Sequence, residues 1–309
     1  MKIALIVIFS ILGVLLLLFI IAIITMYFLI YHRPSKRHPN DMNILKTKMY
    51  RDYEERIKDL INNLMSISYK DIYIESFDEK TLHGKLYENK QSNKVAIMCH
   101  GYKGTPYRDF SGGASEFIKM GYNVILIDER AHGKSEGHSI TFGIKERKDV
   151  LSWLEFAQKK FGLDYEYVLV GISMGGATVL NLADKVDPNI KIIADCPYAR
   201  IKELFIYDIK MLKLPVFIFY PLLRLTGILF AHVDIAKFDN YQAINNTTNK
   251  VLIIHGNKDS VVPYTLSQKL YETYPDKIQY ELFDGAEHGV SYLVDDERYR
   301  RIVKQFLEK

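Results

Sequence analysis

Short apolar runs alternate with amphipathic stretches along most of the chain. Runs of this kind are typical of strands buried on both faces of a parallel sheet, and the stretches between them have helical spacing. The predicted strands are residues 67–76, 81–88, 95–99, 124–128, 167–170, 191–194, 251–255 and 278–283. The clearest predicted helices are residues 111–120, 144–161, 174–185, 264–274 and 295–309. The pattern predicts an α/β domain over residues 67–309, with helices on both faces of its sheet.

Residues 1–31 depart from this pattern, because residues 3–31 contain no charged side chain. A helix of that length rises about 43 Å, which exceeds the roughly 30 Å of a bilayer core. A cleaved signal peptide has a shorter apolar region, of about 7–15 residues, and a small-x-small cleavage site; Ala22-Ile23-Ile24 fits such a site poorly. A helix that is apolar on every face also rarely fits a soluble core. We therefore expect residues 1–31 to be an uncleaved, single-pass transmembrane anchor.

The charges beside the anchor predict its orientation. Arg33, Lys36 and Arg37 follow the apolar run, whereas only Lys2 and the amino terminus precede it. The positive-inside rule then places the large domain in the cytoplasm, at the inner side of the cell membrane. The lone amino end opposes this assignment, so the extracytoplasmic side stays open as the alternative.

Residues 32–66 connect the anchor to the domain. Residues 32–40 form a basic linker with two prolines, and residues 42–65 are predicted to form an amphipathic helix. The apolar side chains that repeat at helical spacing on one face are Tyr53, Ile57, Leu60, Ile61 and Leu64. We expect this face to pack on the domain, and the alternative is that the helix lies on the membrane surface.

Composition excludes several classes of protein. The 41 basic side chains are nearly balanced by 37 acidic ones, which argues against a nucleic-acid partner. Two cysteines in 309 residues are too few for a disulfide scaffold or a CxxC-type zinc site. No cluster of His, Cys and Asp has metal-ligand spacing, so we expect no metal ion. The sequence identifies no protein partner.

The loops that follow the predicted strands contain the candidate catalytic residues, since open parallel sheets bind ligands at the carboxyl ends of their strands. Residues 171–175 read Gly-Ile-Ser-Met-Gly between a predicted strand and a predicted helix. In this G-x-S-x-G arrangement a sharp turn lifts the serine hydroxyl above the sheet, and glycines such as Gly171 and Gly175 permit close packing. Ser173 is therefore a candidate nucleophile. A glycine-rich helix start is the alternative.

A glycine-rich loop follows the predicted strand at residues 95–99. Residues 100–104 read His-Gly-Tyr-Lys-Gly, and such a loop can turn a backbone N–H toward the serine. The N–H groups of Tyr102 and Met174 are the candidate oxyanion hole. His100 and Gly101 are candidate supporting residues, and an ordinary turn is the alternative.

Two further loops provide an acid and a base. Asp259 follows the predicted strand at 251–255, and His288 follows the one at 278–283. A carboxylate can orient an imidazole and stabilise its protonated form. A solvated loop aspartate and a surface histidine are the respective alternatives.

Taken together, the four loops resemble those of the α/β-hydrolase superfamily, and most closely its esterase, lipase and serine-aminopeptidase-like branch. Residues 128–135 read Asp-Glu-Arg-Ala-His-Gly-Lys-Ser and are similar to the D-x-R-x-H-G-x-S stretch of that branch. The resemblance covers most of the chain after residue 67. It implies a mostly parallel eight-stranded sheet with an antiparallel hairpin at its edge, no metal or organic cofactor, and a supporting role for His132.

The resemblance also implies a catalytic triad of Ser173, Asp259 and His288. The order serine, acid, histidine is the one that α/β-hydrolases use. An acid after the sixth strand is a variation within the superfamily, and Asp195 occupies that place here as a rival acid. We prefer Asp259, because it stands in the G-x-x-D pattern of the family. The departure from soluble members of the superfamily is the N-terminal anchor.

Residues 198–249 interrupt the α/β alternation with apolar and aromatic residues. In the superfamily that this chain resembles, an insertion after the sixth strand is a helical cap over the active site. An apolar cap is consistent with an acyl chain or a hydrophobic ester as substrate, although the same residues are needed to pack the cap. Residues 211–230 are long enough for a second membrane span, but Pro215 and Pro221 interrupt them.

The sequence therefore predicts a membrane-anchored serine hydrolase that acts on carboxylic esters, with a small-molecule or lipid ester as substrate. Hydrolysis of amides or peptides by the same nucleophile is the first alternative, and an aminopeptidase would need acidic groups to hold the substrate amine. A non-catalytic, membrane-bound scaffold that keeps the fold is the second alternative.

Overall fold

The computed structural model describes residues 2–33 and 48–309, and an eight-stranded sheet forms its centre. The strands are β1 (Lys70–Glu75), β2 (Thr81–Tyr87), β3 (Lys94–Cys99), β4 (Asn123–Ile127), β5 (Glu166–Ile172), β6 (Lys191–Asp195), β7 (Val251–Gly256) and β8 (Ile278–Phe283). Their order across the sheet is β1-β2-β4-β3-β5-β6-β7-β8. β2 pairs antiparallel with both β1 and β4, and the other neighbours are parallel. The predicted sheet, with its antiparallel edge hairpin, is confirmed.

Most of the predicted element ends that the structure describes lie within two residues of the observed ones, and two differ by more. β1 begins at Lys70 rather than at residue 67, because the preceding helix Glu54–Ser66 continues up to that point. Ile67 closes the helix by donating its N–H to the carbonyl of Leu64. The predicted helix 174–185 ends at Leu180. After Asn181 the backbone bonds shift to the residue three positions earlier, since the N–H of Leu182 donates to the carbonyl of Val179 at 3.1 Å. The side chain of Asn181 donates to Oδ1 of Asn240 at 2.8 Å.

Helices cover both faces of the sheet. Successive residues of a strand point to opposite faces, so neighbouring residues of one strand pack against different helices. Met98 of β3 packs in a core with the helices Glu54–Ser66 and Asp296–Glu308. Its neighbour Ile97 packs in a second core with the helix Glu146–Phe161. Further helices are Lys48–Arg51, Pro106–Asp109, Gly113–Lys119, Met174–Leu180, Tyr264–Thr273 and Ser291–Val294.

The helix Glu54–Ser66 packs on the domain rather than standing apart from it. The basic linker and the start of the predicted helix 42–65 lie outside the described residues. The side chains of this helix that are fully buried in the core are Ile57, Ile61 and Leu64. Arg56 adds a hydrogen bond from its Nη1 to the carbonyl of Leu293 at 2.8 Å. Of the two arrangements considered for this segment, packing on the domain and lying on the membrane surface, the structure shows packing on the domain.

An apolar helix runs from Lys2 to Met26 and continues as a π-helical turn, Tyr27–Tyr31. It is long enough to cross a membrane, and both a membrane anchor and a signal sequence match its length and composition. Most of its side chains are exposed. Ile23 and Tyr31 are buried, and Met26, Tyr27 and Ile30 are partly buried, because the end of the helix contacts the domain.

Residues 198–249 form helices in place of the α/β alternation, as the sequence predicts. The helix Ile201–Met211 is followed by Val216–Thr226, which continues as a π-helical turn, Gly227–Ala231. Leu223 is buried in a cluster that also contains Tyr31. The possible second membrane span in this region therefore packs one face on the rest of the protein.

The substitution Ile61→Ala is expected to lower the free energy of unfolding by about 2–5 kcal/mol, because it opens a cavity in a packed core. Met65→Ala, one turn further along the same helix, is the matched control, since Met65 is 43% exposed and Ile61 is 0% exposed. Its effect should stay within about 0.5 kcal/mol. Denaturant titration in detergent, followed by the fluorescence of the buried Trp153, measures both. Equal losses would contradict the packed position of the helix.

Candidate active site

Ser173 lies in a sharp turn between β5 and the helix Met174–Leu180. Its backbone has φ 56° and ψ −117°, a conformation that residues other than glycine rarely adopt. The N–H of Ser173 donates to the carbonyl of Asp195 on the neighbouring strand β6 at 2.8 Å. This bond joins the strained turn to the sheet and fixes the direction of the side chain.

The glycines around Ser173 are required by close contact between backbones. A Cβ atom at Gly175 would lie 1.9 Å from the carbonyl oxygen of Cys99, at the end of β3. A Cβ atom at Gly171 would lie 2.2 Å from the carbonyl oxygen of Gly175 itself. The G-x-S-x-G spacing therefore allows the helix to begin directly against the ends of two strands.

Ser173, His288 and Asp259 form a hydrogen-bonded line across three loops. The Oγ of Ser173 lies 2.9 Å from Nε2 of His288, and Nδ1 of His288 lies 2.7 Å from Oδ2 of Asp259. When Nδ1–H donates to Asp259, Nε2 is left to accept the hydroxyl proton of Ser173. The structure thus brings together the three residues that the sequence singled out.

Asp259 accepts hydrogen bonds from other groups besides His288. Its Oδ1 accepts the N–H groups of Val261 and Val262 at 2.9 and 2.7 Å. Nε2 of His255 lies 3.1 Å from Oδ2. Burial raises the pKa of Asp259, but the charges and hydrogen bonds of His288 and His255 outweigh it, so the pKa lies well below its usual range. Asp259 is therefore ionised at neutral pH.

The pKa of His288 is raised in this environment. Burial alone lowers it, because the protonated imidazole loses its hydration. The charge of Asp259 and the hydrogen bond to it act in the opposite direction and prevail. His288 is thus set up to accept a proton and to hold it as a stabilised imidazolium.

Asp195, the rival acid, has a different partner. Its Oδ2 accepts a hydrogen bond from the hydroxyl of Tyr299 at 3.1 Å. Burial raises the pKa of Asp195 to about 6. Nδ1 of His288 bonds to Asp259, so the geometry favours Asp259 as the partner of the histidine.

The loop after β3 touches Ser173 directly, since a Cβ atom at Gly101 would lie 3.2 Å from the Cβ of Ser173. His100 supports this loop: its Nε2 accepts the N–H of Glu129 at 3.1 Å, and its Nδ1 lies 2.8 Å from the carbonyl oxygen of Gly101. Burial lowers the pKa of His100 and keeps it neutral. Met174 begins its helix, where N–H groups have no acceptor within the helix.

Asp109 also holds this loop, and the sequence reading missed it. Its Oδ2 accepts the N–H of Gly101 at 2.8 Å, and its Oδ1 pairs with Nε of Arg108 at 2.6 Å. Burial raises the pKa of Asp109, but Arg108 outweighs it and keeps the carboxylate charged. The sequence contains only an adjacent Arg–Asp pair after a glycine-rich loop, which is too common a pattern to identify such a residue.

His132 is placed behind the loop rather than against the serine. Its Nδ1 lies 2.8 Å from the carbonyl oxygen of Arg130, and its ring contacts that of His100 edge-on at 4.7 Å. Arg130 in turn bonds to both carboxylate oxygens of Asp149 at 2.6 Å. The stretch 128–135 therefore braces the loops from below.

A cavity of about 410 Å³ opens beside Ser173 and His288. It extends between the sheet and the helices on the Met98 face. Its apolar lining includes Ile57, Met98, Phe117, Val170, Ile193 and Val303. Of the described residues that line it, none lies between 198 and 249, so the suggestion that this segment holds the acyl chain does not match the cavity.

A metal ion has one possible set of ligands among the described residues. Cys196, Asp259 and His288 present ligand atoms within 4.8 Å of one another. The Asp259 and His288 atoms are already bonded to each other and to Ser173, so the arrangement serves the hydrogen-bonded line.

The sequence of this chain matches a family model and several known proteins. Residues 90–235 match the family model described as serine aminopeptidase, S33. The uncharacterized protein YqkD of Bacillus subtilis is 27% identical over 215 residues, which are 69% of this chain and 70% of that protein. The lysophosphatidylserine lipase ABHD12 of Danio rerio is 26% identical over 191 residues, 59% of this chain and 48% of that protein. The chain thus spans about half the length of that lipase.

Solved structures share the architecture. An esterase of Pyrococcus furiosus is 25% identical in sequence and superposes with a TM-score of 0.66. The superposition covers 90% of this chain and 97% of the esterase. The similarity therefore extends over nearly the whole of that enzyme.

Proposed function

The chain belongs to the α/β-hydrolase superfamily, and we propose that it is a serine hydrolase that cleaves carboxylic esters. The observation that carries this proposal is the line of three side chains, in which Ser173 Oγ lies 2.9 Å from His288 and His288 lies 2.7 Å from Asp259. Each distance is that of a hydrogen bond in which a proton can move. This geometry is the one that nucleophilic catalysis by serine requires.

The proposed reaction begins when Ser173 Oγ attacks the ester carbonyl and His288 Nε2 takes the hydroxyl proton. Asp259 stabilises the imidazolium that forms. The N–H groups of Tyr102 and Met174 stabilise the negative charge that develops on the carbonyl oxygen. The intermediate then collapses, and His288 returns the proton to the leaving alcohol.

Water completes the cycle by the same steps in reverse order. His288 removes a proton from water, the resulting hydroxide attacks the acyl-enzyme, and the carboxylic acid leaves as Ser173 regains its proton. The proposed chemistry uses only these side chains and backbone N–H groups.

The cavity supports an ester with an apolar acyl chain as the substrate. Its volume of about 410 Å³ falls in the range of small-molecule pockets, and its floor is built from aliphatic and aromatic side chains. The acyl chain would run from Ser173 toward Val303, between the sheet and the C-terminal helix. This replaces the segment 198–249 as the proposed acyl site.

We also propose that the N-terminal helix anchors the protein in the cell membrane, with the domain in the cytoplasm as the following positive charges favour. Apolar side chains exposed along the helix support this, and the apolar surface continues onto the domain. Ile228, Leu229 and Phe230 are exposed, and the ring of Phe230 lies 5.2 Å from that of Tyr27. A lipid ester is a substrate that such a position makes accessible.

Amide hydrolysis is the second candidate function. The matched family model is described by an aminopeptidase, and such an enzyme needs an acid to hold the substrate amine. Asp195 lines the cavity, and its Oδ1 has no hydrogen-bond partner among the described residues. Parallel assays of a nitrophenyl ester and an aminoacyl nitroanilide separate the two candidates, since faster amide turnover would favour the second.

The substitution Ser173→Ala is expected to abolish ester hydrolysis and covalent labelling by a fluorophosphonate probe, because it removes the nucleophile. Cys99→Ala, which alters a buried residue at the end of β3, is the control and should keep labelling. Full-length protein in detergent is labelled and digested, and mass spectrometry locates the adduct. Wild-type turnover in Ser173→Ala would refute the assignment, and a folded wild type that does not label would favour the scaffold alternative.

Activity on a neutral ester is expected to rise with pH as His288 loses its proton. Because the pKa of His288 is raised, the acid limb should lie above the ordinary histidine value of about 6.5. Asp259→Asn should move the limb to lower pH and reduce kcat by about 10²–10⁴-fold. The exposed Asp284 provides the control Asp284→Asn, which should change neither. An unmoved limb in Asp259→Asn would contradict the assigned pair.

The substitution Val303→Phe is expected to shorten the acyl chains that the enzyme accepts. A larger side chain fills the cavity, so kcat/KM should fall about tenfold or more for long-chain nitrophenyl esters and less than about threefold for the acetate. Val294→Phe makes the same change outside the cavity lining and should alter neither value. Uniform loss across chain lengths would place the acyl chain elsewhere.

A further inference from the structure

The last turn of the N-terminal helix ends on the loop that contains Tyr102. The final carbonyl groups of a helix have no N–H donor within the helix and need donors from outside it. The hydroxyl of Tyr102 donates to the carbonyl of Ile30 at 2.8 Å, and Nζ of Lys103 donates to that of Leu29 at 3.0 Å. The N–H of Ile140 donates to the carbonyl of Tyr31 at 2.7 Å. Two successive residues of the active-site loop thus complete the helix end.

Aromatic packing joins the same two segments. The ring of Tyr102 stacks on that of Phe142 at 5.2 Å and 22°, and Tyr31 meets the same ring edge-on at 5.6 Å and 85°. Phe142 has φ 55°, in the left-handed region that a bulky residue avoids. Such a conformation persists only where surrounding contacts impose it, so this junction is tightly determined.

Tyr31 is part of the core rather than of the exposed helix. Its side chain is fully buried, and its hydroxyl donates to the carbonyl of Leu223 at 2.9 Å. A Cβ atom at Gly227 would lie 2.7 Å from that hydroxyl, so the π-helical turn Gly227–Ala231 packs directly against it. Cleavage after the apolar run would remove this residue and open the cluster.

The loop itself is held from two sides. Asp109 accepts the N–H of Gly101 on one side, and the helix end binds the side chains of Tyr102 and Lys103 on the other. Lys103 has φ 50°, so the chain reverses immediately after Tyr102. The backbone N–H of Tyr102 lies between these two attachments.

We infer that residues 29–31 of the N-terminal helix are a fixed part of the active site, which hold the side chain of Tyr102 and thereby aim its backbone N–H at the developing oxyanion. The inference rests on the proposed function and adds a second role to the helix. The Tyr102 side chain is a positioning residue that acts through its own amide. The helix is therefore retained in the working enzyme, and a soluble fragment that begins after it lacks part of the site.

The test compares Tyr102→Phe with Tyr27→Phe in the full-length protein in detergent, with nitrophenyl acetate as substrate. Both variants remove one hydroxyl that joins the helix end to the domain, since Tyr27 bonds to Ser139 Oγ at 2.8 Å. Only Tyr102 lies on the oxyanion loop. We expect Tyr102→Phe to lower kcat and the rate of fluorophosphonate labelling about tenfold, a part of the 10²–10³-fold that loss of one oxyanion donor causes. Tyr27→Phe should match the wild type.

Further readouts separate positioning from general damage. In Tyr102→Phe, KM should stay within about twofold, because Tyr102 lines the cavity and phenylalanine keeps its ring. The pH limb of His288 should not move, because the bond between His288 and Asp259 is not altered. Wild-type kcat in Tyr102→Phe, or an equal loss in Tyr27→Phe, would overturn the inference. The inference would also be overturned if fully active protein isolated from membranes had an intact mass from which residues 2–31 were missing. Absence of labelling in the wild type would instead overturn the proposed function.

Discussion

The close approach of backbones at Ser173 is the constraint on which the rest of the site depends. The helix Met174–Leu180 begins so near the ends of β3 and β5 that no Cβ atom fits at Gly171 or Gly175. The chain can make this turn only if Ser173 takes a left-handed backbone conformation, which raises its hydroxyl above the sheet. The position of the proposed nucleophile is thus a consequence of packing, and the loops that meet it must follow the same strand ends.

Electrostatics then divides the acids of the site. Asp259 is buried, and a buried charge is stable only when hydrogen bonds and opposite charges replace its water. Two backbone N–H groups and two histidines do so, and the carboxylate stays ionised beside His288. Asp195 is buried with Tyr299 as its hydrogen-bond partner, and its pKa rises to about 6. The environment, rather than the residue type, decides which acid serves the histidine.

Segments that lie before the α/β pattern complete the site from two directions. Ile57 of the helix Glu54–Ser66 lines the cavity beside Ser173, so the proposed acyl site includes a segment that precedes the α/β pattern. Tyr31, at the end of the apolar helix, packs against Phe142, whose ring also stacks on that of Tyr102 in the proposed oxyanion loop. The end of the apolar helix therefore packs in the same apolar cluster as Met174 and Tyr102, the two proposed oxyanion donors.

The sequence by itself determined the strands of the sheet and the positions of the loops that follow them. Short, continuous apolar runs identify strands that are buried on both faces, and the carboxyl ends of parallel strands meet at one edge of the sheet. Ser173, Asp259 and His288 could therefore be expected to converge without coordinates. Only the tertiary structure decided which side of the sheet holds the cavity, that Asp109 supports the loop, and that Tyr102 bonds to Ile30, 72 residues earlier in the chain. The physical reason is that periodicity reports whether a face is buried, whereas these features depend on which distant segment buries it.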